Sequence, residues 1–286
     1  MGRRKINFKA WILIFLFFLT VAIWSVYFKE PDNSLQVILL DVGQGDAVLI
    51  EKGSWQVLID GGPDNKIVEK LSKYMPLEDR KIEEVILTHP HTDHVTGLGG
   101  IISRYEIGEI NYNGLNYNSK IYESFLQKAK EKNIPMSVPK IGEEKKIFGK
   151  GVIKFLWPGE NASTYSDNLN NTSEVFKFTY GNFSALFSGD AETEVWQEIE
   201  KNNLSDISNL VYFKVPHHGS KNGVDDILAN IIKPKISTIS CGKNNQFGFP
   251  HKEATEALIK AGSDIYRTDQ NGDIVLKTDG EKWKVK

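Results

Sequence analysis

The chain has 286 residues, with 35 Lys and Arg, 37 Asp and Glu, and a formal net charge of −2. Its 40 % hydrophobic and 25 % charged residues are typical of globular proteins and exclude disorder for most of the chain. A single Cys excludes an intramolecular disulfide and a zinc site built from several cysteines. Residues 1–30 contain five basic residues and one acidic residue, which leaves residues 31–286 with a net charge of −6. Because an acidic domain has no general attraction for nucleic acid, binding of a polyanion requires a local basic patch or a metal.

An uncharged, mostly apolar segment of 19 residues, 10–28, follows four basic residues at the N-terminus. As a helix it would be about 28 Å long, close to the ~30 Å hydrocarbon core of a bilayer. The basic residues before it predict a single-pass protein of the cell membrane, with its N-terminus cytoplasmic and the rest of the chain extracellular. The alternative is a cleaved signal peptide, which would make the protein secreted. We therefore expect a cytoplasmic basic segment (1–9), a transmembrane anchor (10–28), a linker (29–34) and one folded domain (35–286).

The pattern of apolar residues predicts a run of strands, followed by strands that alternate with helices. The predicted strands are 35–41, 47–51, 55–60, 85–88, 152–156, 175–180, 184–188, 211–215 and 236–240. The predicted helices are 65–75, 95–105, 119–132, 191–203, 224–232 and 252–261. Asn271-Gly272 is typical of a type I′ turn and predicts a closing β-hairpin. This mixture indicates an α/β protein in which helices cover layered sheets.

Polar side chains that bind metals or organise catalytic sites follow several of the predicted strands. They are Asp60, His89, Asp190 and His217. Residues at the ends of successive strands usually converge on one edge of a sheet. The sequence therefore predicts a polar site at such an edge.

The densest group of metal-binding residue types lies within six residues: His89, His91, Asp93 and His94. Neutral imidazole and carboxylate are normal ligands for Zn²⁺ and similar divalent ions. On a loop after a strand, positions 89 and 91 can point to one side, while 93 and 94 turn toward a second ion ~3.5–4 Å away. A solvated polar loop is the less favourable alternative, because it would leave these side chains beside an apolar strand without partners.

The segment from His89 to His94 resembles the signature of the metallo-β-lactamase superfamily, which implies an αββα sandwich with a dinuclear metal site between its sheets. Further segments follow the same order as in the metal-dependent domain of the ComEC competence proteins: 40–47, 60–63, 188–192, 215–220 and 266–269. The resemblance covers about residues 35–286. It implies that this region is a metallo-β-lactamase-like hydrolase domain.

Carried over by position, the resemblance implies two divalent ions, Zn²⁺ or Mn²⁺, with Asp190 between them. The implied metal ligands are His89 and His91 for the first ion, Asp93, His94 and His218 for the second, and Asp190 for both. The implied catalytic residues are Asp93, His217 and Glu192. Related choline-phosphate esterases carry a similar His pair, and this likeness favours His218 as the ligand and His217 as a phosphate contact or proton donor. The choice between these two histidines stays open on the sequence.

Several of these residues also have structural interpretations. Asp190 is in position to cap the following helix, which does not exclude a ligand role. Glu192 lies where the helix dipole favours a carboxylate. Asp46 and Asp60 are expected to organise hydrogen bonds near the site or to contact substrate or metal. His251 is either a metal or substrate contact or simply the start of the next helix.

The sequence departs from the superfamily pattern in two places. No His lies between His94 and His217, where many members have a ligand, so the first ion would have fewer protein ligands. The ComEC branch has an Asn/Ser segment in that region, and residues 170–173 match it. Phe249 stands where the branch usually has His.

Together these features predict a metal-dependent phosphoester hydrolase, most simply a ComEC-like phosphodiesterase or nuclease displayed outside the membrane. Asp93 would orient the attacking water, and His217 would protonate the leaving oxygen. If DNA is the substrate, basic side chains near the motifs are expected to line the cleft: Lys214, Lys221, Lys243, Lys252 and Arg267. The alternatives are a cell-envelope phosphoesterase acting on teichoic-acid or choline-phosphate esters, and a non-catalytic binding domain associated with DNA uptake. The missing central His disfavours a β-lactamase.

Overall fold

The computed structural model describes residues 8–27, 34–76 and 78–286. The chain forms two compact units, residues 1–33 and residues 34–286, and each is described by itself. The first unit contains helix α1 (Phe8–Tyr27). All other elements belong to the second unit.

The membrane prediction concerns the first unit. Among the helices of the described residues, none is both long and apolar enough to cross a bilayer. The predicted transmembrane helix, and the single-pass location in the cell membrane that depended on it, are therefore wrong. The sequence argument relied on the absence of charge over 10–28, which is not sufficient for a spanning helix. The predicted basic segment (1–9) and linker (29–34) lie largely outside the described residues.

The strands of the second unit are, in chain order, β1 (Leu35–Leu39), β2 (Val48–Lys52), β3 (Trp55–Ile59), β4 (Lys81–Leu87), β5 (Glu106–Tyr112), β6 (Met136–Ser137), β7 (Glu144–Ile147), β8 (Gly151–Trp157), β9 (Val175–Tyr180), β10 (Phe183–Phe187), β11 (Tyr212–Lys214), β12 (Ile236–Ile239), β13 (Asp264–Arg267), β14 (Ile274–Thr278) and β15 (Trp283–Val285). In the described residues they form two mixed sheets. The first has the order β15-β14-β1-β2-β3-β4-β5-β6, and the second has the order β13-β12-β11-β10-β9-β8-β7.

The helices of this unit are α2 (Lys66–Tyr74), α3 (Thr92–Val95), α4 (Leu98–Arg104), α5 (Lys120–Glu131), α6 (Thr193–Ile207), α7 (Asp226–Ile232), α8 (Lys252–Lys260) and α9 (Thr268–Asn271). Short 3₁₀ turns lie at Gly159–Tyr165, Leu169–Thr172 and His217–Gly219. Parallel pairing joins β3 to β4 and β10 to β11. The carboxyl ends of the two strands in each pair therefore lie at the same edge of their sheet.

Three apolar cores separate the layers. Successive strand residues point to opposite faces, so Ile50 packs between the two sheets while Leu49 packs outward. The outer face of the first sheet is covered by α2, α4 and α5, which contribute side chains such as Phe125. The outer face of the second sheet is covered by α6, α7 and α8, which contribute side chains such as Trp196. The layers are helix, sheet, sheet and helix, and the predicted α/β sandwich is confirmed.

The local sequence pattern did not predict the secondary structure correctly at two places. The Asn271-Gly272 turn does not form a hairpin, because Asn271 ends α9, Gly272 has a φ of +67°, and the chain passes from β13 in the second sheet to β14 in the first. The closing hairpin lies further on, between the antiparallel β14 and β15. The sequence analysis also missed β5, which pairs in parallel with β4 beside the site.

Candidate metal centre

The predicted site residues converge where strands of the two facing sheets end. Asp60 directly follows β3, and His89 lies two residues after β4. In the second sheet, Asp190 lies three residues after β10 and His218 four residues after β11. Because each pair of strands is parallel, its polar ends share one edge, and the two edges face each other across the sandwich.

The backbone at the centre adopts uncommon conformations. Asp60, His217 and His218 have φ values of +57°, +49° and +55°, which non-glycine residues adopt at a cost of about 1–3 kcal/mol each. At Gly45, a Cβ atom would collide with the backbone carbonyl of Asp93. Gly45 therefore permits the close approach of the loop before β2 to the histidine-rich segment.

We call the buried part of the centre the floor. Its members are each at most 2 % exposed: Asp46, Asp60, His89, His94, Asp190, Lys214 and His218. We call the outer part the rim, and its members are His91, Asp93, Glu192, His217, Phe247, Phe249 and His251. Buried polar groups need partners, so the contacts of the floor define what the centre can bind.

Two floor histidines are oriented by acceptors at Nδ1. Asp60 Oδ2 lies 2.8 Å from His94 Nδ1, and the Ser240 carbonyl oxygen lies 3.0 Å from His218 Nδ1. When these Nδ1 atoms donate, the lone pair of each ring remains on Nε2, as in metal-binding histidines whose second nitrogen is held by a carboxylate or carbonyl. His218 Nε2 then lies 3.1 Å from Asp93 Oδ2.

The clearest indication of a cation site is at His94 and Asp190. His94 Nε2 lies 3.4 Å from Asp190 Oδ1, and neither atom has a hydrogen-bond partner among the described residues. Both atoms are buried, and both are of the types that bind metal ions. A positive charge between them would satisfy both, so the donor set fits a divalent metal ion.

Ligand atoms within 4.8 Å of one another form four groups of three residues in the described chain. The groups are His89/His94/Asp190, Asp93/His94/His218, Asp46/Asp60/His94 and Asp46/Asp190/His218. The second group contains the residues that the sequence assigned to the second ion. His91 is in none of the groups, although its Nδ1 lies 2.9 Å from His89 Nε2. The structure thus brings the predicted ligands together, and their individual roles stay predictions.

Electrostatics keeps Asp190 ionised despite its burial. Burial acts to raise the pKa of Asp190, but the positive charges of His94 and His218 outweigh it and lower this pKa well below 3.8. Burial acts to lower the pKa of His218, and the carboxylates of Asp190, Asp46 and Asp93 reverse this and raise it to about 10. The centre therefore holds strong negative charge that only cations offset.

The other floor side chains differ in whether neighbouring charges outweigh the effect of burial on their pKa. Burial lowers the pKa of His89, and the nearby charge of His94 lowers it further, so His89 is a neutral ligand type. Burial raises the pKa of Asp60 more than His94 lowers it. At Asp46, Lys214 and His218 outweigh burial and lower the pKa.

Lys214 does not line the cleft. It is buried and forms an ion pair with Asp46, whose other oxygen lies 3.4 Å from His218 Nδ1. The sequence carries one signal for this arrangement, because Lys214 interrupts an otherwise apolar strand. Arg267 is also engaged, since it pairs with Asp269 at 2.7 Å. Of the five basic side chains expected in the cleft, these two are committed to internal pairs.

The rim contains a His–carboxylate pair. His217 Nδ1 lies 3.0 Å from Glu192 Oε1, and the His217 side chain is 20 % exposed. The other Glu192 oxygen accepts a hydrogen bond from Asn168 at 2.9 Å, and Asn170 donates to Oε1 at 3.1 Å. The hydrogen bond with His217 is the main cause that lowers the pKa of Glu192.

The Asn/Ser segment predicted to occupy the position of the missing His borders the centre. Asn171 Oδ1 accepts from the Glu192 N–H at 3.1 Å, and Ser173 Oγ accepts from the Asp190 N–H at 3.0 Å. Helix α6 begins at Thr193, with Glu192 as its N-cap residue and no side-chain cap bond. Asp190 therefore does not cap the helix, and its carboxylate faces the histidines.

His251 lies at the rim, beside Phe249 and outside the four ligand groups. Its N–H donates to the Gly219 carbonyl at 2.9 Å, and its Nδ1 accepts from the Lys221 N–H at 3.1 Å. The Phe249 ring lies 5.0 Å from the His251 ring and 5.3 Å from the His217 ring. Phe249 was noted only as a departure from the superfamily pattern, and the structure places it against two histidines of the rim.

Residues 40–243 match the family model of the metallo-β-lactamase superfamily, a span that covers most of the chain. The chain belongs to the metallo-β-lactamase superfamily. The resemblance seen in the sequence is thereby confirmed. Members of this superfamily are generally metal-dependent hydrolases that bind divalent ions, and the donor set at this centre agrees with that property.

Two relatives and one solved structure illustrate the likeness. The chain is 27 % identical over 259 residues to ComE operon protein 3 of Bacillus subtilis, covering 84 % of this chain and 32 % of the relative. It is 28 % identical over 251 residues to Recombination protein 2 of Haemophilus influenzae, covering 84 % and 28 %. The chain thus spans about a third of the length of these relatives. The metallo-β-lactamase fold protein YhfI of Bacillus subtilis has a similar fold, with a TM-score of 0.56, 14 % identity, and coverage of 86 % of this chain and 100 % of YhfI.

Proposed function

We propose that this superfamily member is a metal-dependent phosphodiesterase that cleaves nucleic acid, with a centre for two divalent ions, Zn²⁺ or Mn²⁺. The residues that would hold the ions are His89, His91, Asp93, His94, Asp190 and His218. When bound, such ions neutralise phosphate oxygens and bring the pKa of a coordinated water to near 7. The observation that carries the proposal is the buried approach of His94 Nε2 to Asp190 Oδ1, two metal-binding atoms that have no hydrogen-bond partner among the described residues.

The side chains around the metal positions have complementary tasks in this proposal. Asp93 is part exposed and lies against His218, so its carboxylate accepts a hydrogen bond from the attacking water. Glu192 accepts from His217 Nδ1, which leaves His217 Nε2 to hold a proton for the leaving oxygen. Asn168 and Asn170 fix the Glu192 carboxylate and with it the orientation of the His217 ring.

The names of the relatives favour a nucleic-acid substrate over a cell-envelope polymer. Recombination protein 2 is named for recombination, and a further relative, 25 % identical over 252 residues, is the competence protein ComA of Neisseria gonorrhoeae. Both cover most of this chain. The cell-envelope phosphoesterase and the non-catalytic binding domain are the outcomes that a direct assay must separate from a nuclease.

The test is metal analysis of the purified chain, followed by assays on single- and double-stranded DNA, RNA, nucleotides and choline-phosphate esters. We expect bound metal, DNA cleavage that EDTA abolishes and Mn²⁺ or Zn²⁺ restores, and loss of both metal and activity in an Asp93→Ala/His94→Ala variant. Asp226→Ala is the matched control, because this exposed carboxylate pairs only with Lys260 on the surface. Full metal content and activity in the double variant would overturn the assignment of the centre. Turnover of choline-phosphate esters alone, or tight DNA binding without turnover, would replace the proposed function with one of the alternatives.

A further inference from the structure

A pair of stacked phenylalanines extends from the rim into solvent. The Phe249 ring lies 5.3 Å from the His217 ring and 6.0 Å from the His218 ring. Phe247 stacks on Phe249, with ring centroids 5.6 Å apart and planes inclined by 19°. Phe247 is 53 % exposed. We call these two rings the ladder. It extends from His217, the candidate proton donor, to the surface.

The loop that presents this ladder is held by its own hydrogen bonds. Asn245 donates to the carbonyl oxygens of Gly242 at 3.0 Å and Phe249 at 2.7 Å. Its Oδ1 accepts from the Phe249 N–H at 3.0 Å. Because both ends of the loop are tied to one side chain, the stacked position of Phe247 is set before any ligand arrives, which lowers the entropic cost of binding.

The segment that carries the ladder and the segment that adjoins it contain Lys and no acidic residue, although the domain is acidic. Residues 242–252 contain two Lys and no Asp or Glu, and residues 216–224 contain Lys221 and no acidic residue. Lys221 and Lys243 are exposed. The backbone of Lys221 bonds to His251, whose ring packs against Phe249. A local basic patch of this kind is what an acidic domain needs to hold a polyanion.

We propose that Phe247 and Phe249 form a stacking platform for a nucleobase of single-stranded nucleic acid, adjacent to the phosphate that the metal centre would cleave. This inference rests on the proposed function and assigns its substrate class. Every nucleobase has a flat face that stacks on an aromatic ring, and exposed Lys side chains supply contacts to the phosphates. A choline group would need several rings arranged around it and would be repelled by Lys. The two rings here are nearly parallel and stacked on each other, so they do not form such a cage.

The experiment compares two oligonucleotides of equal length with the full chain. One is single-stranded DNA, and the other has the same phosphodiester backbone with abasic units in place of every nucleoside. We expect the unchanged protein to prefer the base-bearing strand in kcat/KM, and Phe247→Ala to reduce that preference on the order of 10-fold. Phe247→Tyr should retain most of it. Leu204→Ala is the control for truncating an exposed apolar side chain, because Leu204 is 49 % exposed and lies on α6.

Binding supplies a second measurement that does not depend on turnover. In EDTA, the fluorescence of 2-aminopurine in a single-stranded oligonucleotide should be quenched by the unchanged protein and less by Phe247→Ala, because stacking quenches this base. Equal preference and equal quenching in the two proteins would overturn the platform. A choline-phosphate ester whose kcat/KM falls in Phe247→Ala would overturn it as well. If neither oligonucleotide is cleaved while quenching still depends on Phe247, the proposed function fails and the platform stands.

Discussion

The floor and the rim of the centre differ in how their side chains are held. In the floor, His94 is fixed by Asp60 and His218 by the Ser240 carbonyl, and both rings are almost completely buried. In the rim, His217 is held on one side by Glu192 and remains part exposed. The floor is therefore built by the fold itself, whereas the rim is open to whatever approaches the centre.

This difference predicts separate consequences for changes in the two regions. A change in the floor leaves a buried charge or acceptor without its partner, which weakens the folded state and the metal site together. A change in the rim leaves the folded state nearly intact and acts on turnover or substrate affinity. Measurements of stability, metal content and rate can therefore test whether the floor and the rim differ in this way.

The largest effect is expected from Lys214→Met in the floor. Lys214 and Asp46 form a buried ion pair, so removal of the cation leaves an uncompensated carboxylate beside His218. Breaking such a pair lowers the free energy of unfolding by about 3–5 kcal/mol. Chemical denaturation of the metal-free protein measures this decrease in the free energy of unfolding.

Two variants control the Lys214 experiment. Lys260→Met removes an exposed partner of Asp226 and should cost less than about 1 kcal/mol. Adding Asp46→Asn to Lys214→Met should recover much of the loss, because the stranded charge is gone. If Lys214→Met lowers the free energy of unfolding no more than Lys260→Met does, the ion pair between Lys214 and Asp46 does not stabilise the floor.

The next effect concerns turnover at the rim. His217→Ala should lower kcat on DNA by about 100-fold, the lower range for loss of a positioned general acid, without loss of bound metal. His251→Ala is the matched control, since His251 also lies against Phe249 but bonds only to backbone groups. A loss of metal in His217→Ala would show that this residue belongs to the floor. An equal loss of kcat in both variants would remove the special role of the pair with Glu192.

The sequence predicted some residues of the centre and not others, and the difference depends on where these residues lie along the chain. The segment from His89 to His94 is local, so its composition alone indicated a metal site. Asp60 and Asp190 were found because each lies within three residues of the end of an apolar strand, and parallel pairing brings such ends together. The sequence therefore predicted the members of the floor that lie at strand ends.

The remaining features depend on contacts between distant parts of the chain. Lys214 was expected to line the cleft, because nothing near it in the sequence reveals its partner Asp46. The hairpin predicted at Asn271-Gly272 was wrong, because local turn chemistry does not specify which strand follows the turn. Here the strand that follows is β14, and it pairs with β1, the first strand of the domain in the sequence. The Phe247 and Phe249 stack likewise requires the loop closed by Asn245.

The last comparison is between the floor and a buried carboxylate outside it. Glu174 is fully buried, and neither of its oxygens has a hydrogen-bond partner among the described residues. Burial, with a further contribution from the charge of Glu143, raises the pKa of Glu174 well above 4.5. Asp190 is as deeply buried, but the imidazoles around it reverse the direction of its pKa shift. This difference indicates that the Asp190 carboxylate stays ionised because of the cations around it, and not because of how deeply it is buried.

Since the pKa of Glu174 is higher in the folded state, the folded protein binds more protons than the unfolded chain above pH 4.5. The stabilisation is complete below pH 4.5 and declines by up to about 1.4 kcal/mol per pH unit as the pH rises toward the folded-state pKa. Glu174→Gln keeps the neutral shape and should remove this decline. Thermal unfolding of both proteins from pH 5 to pH 8 measures the difference, which should grow with pH in favour of the Gln variant. Parallel pH profiles would mean that Glu174 has a cation partner after all, as the carboxylates of the floor do.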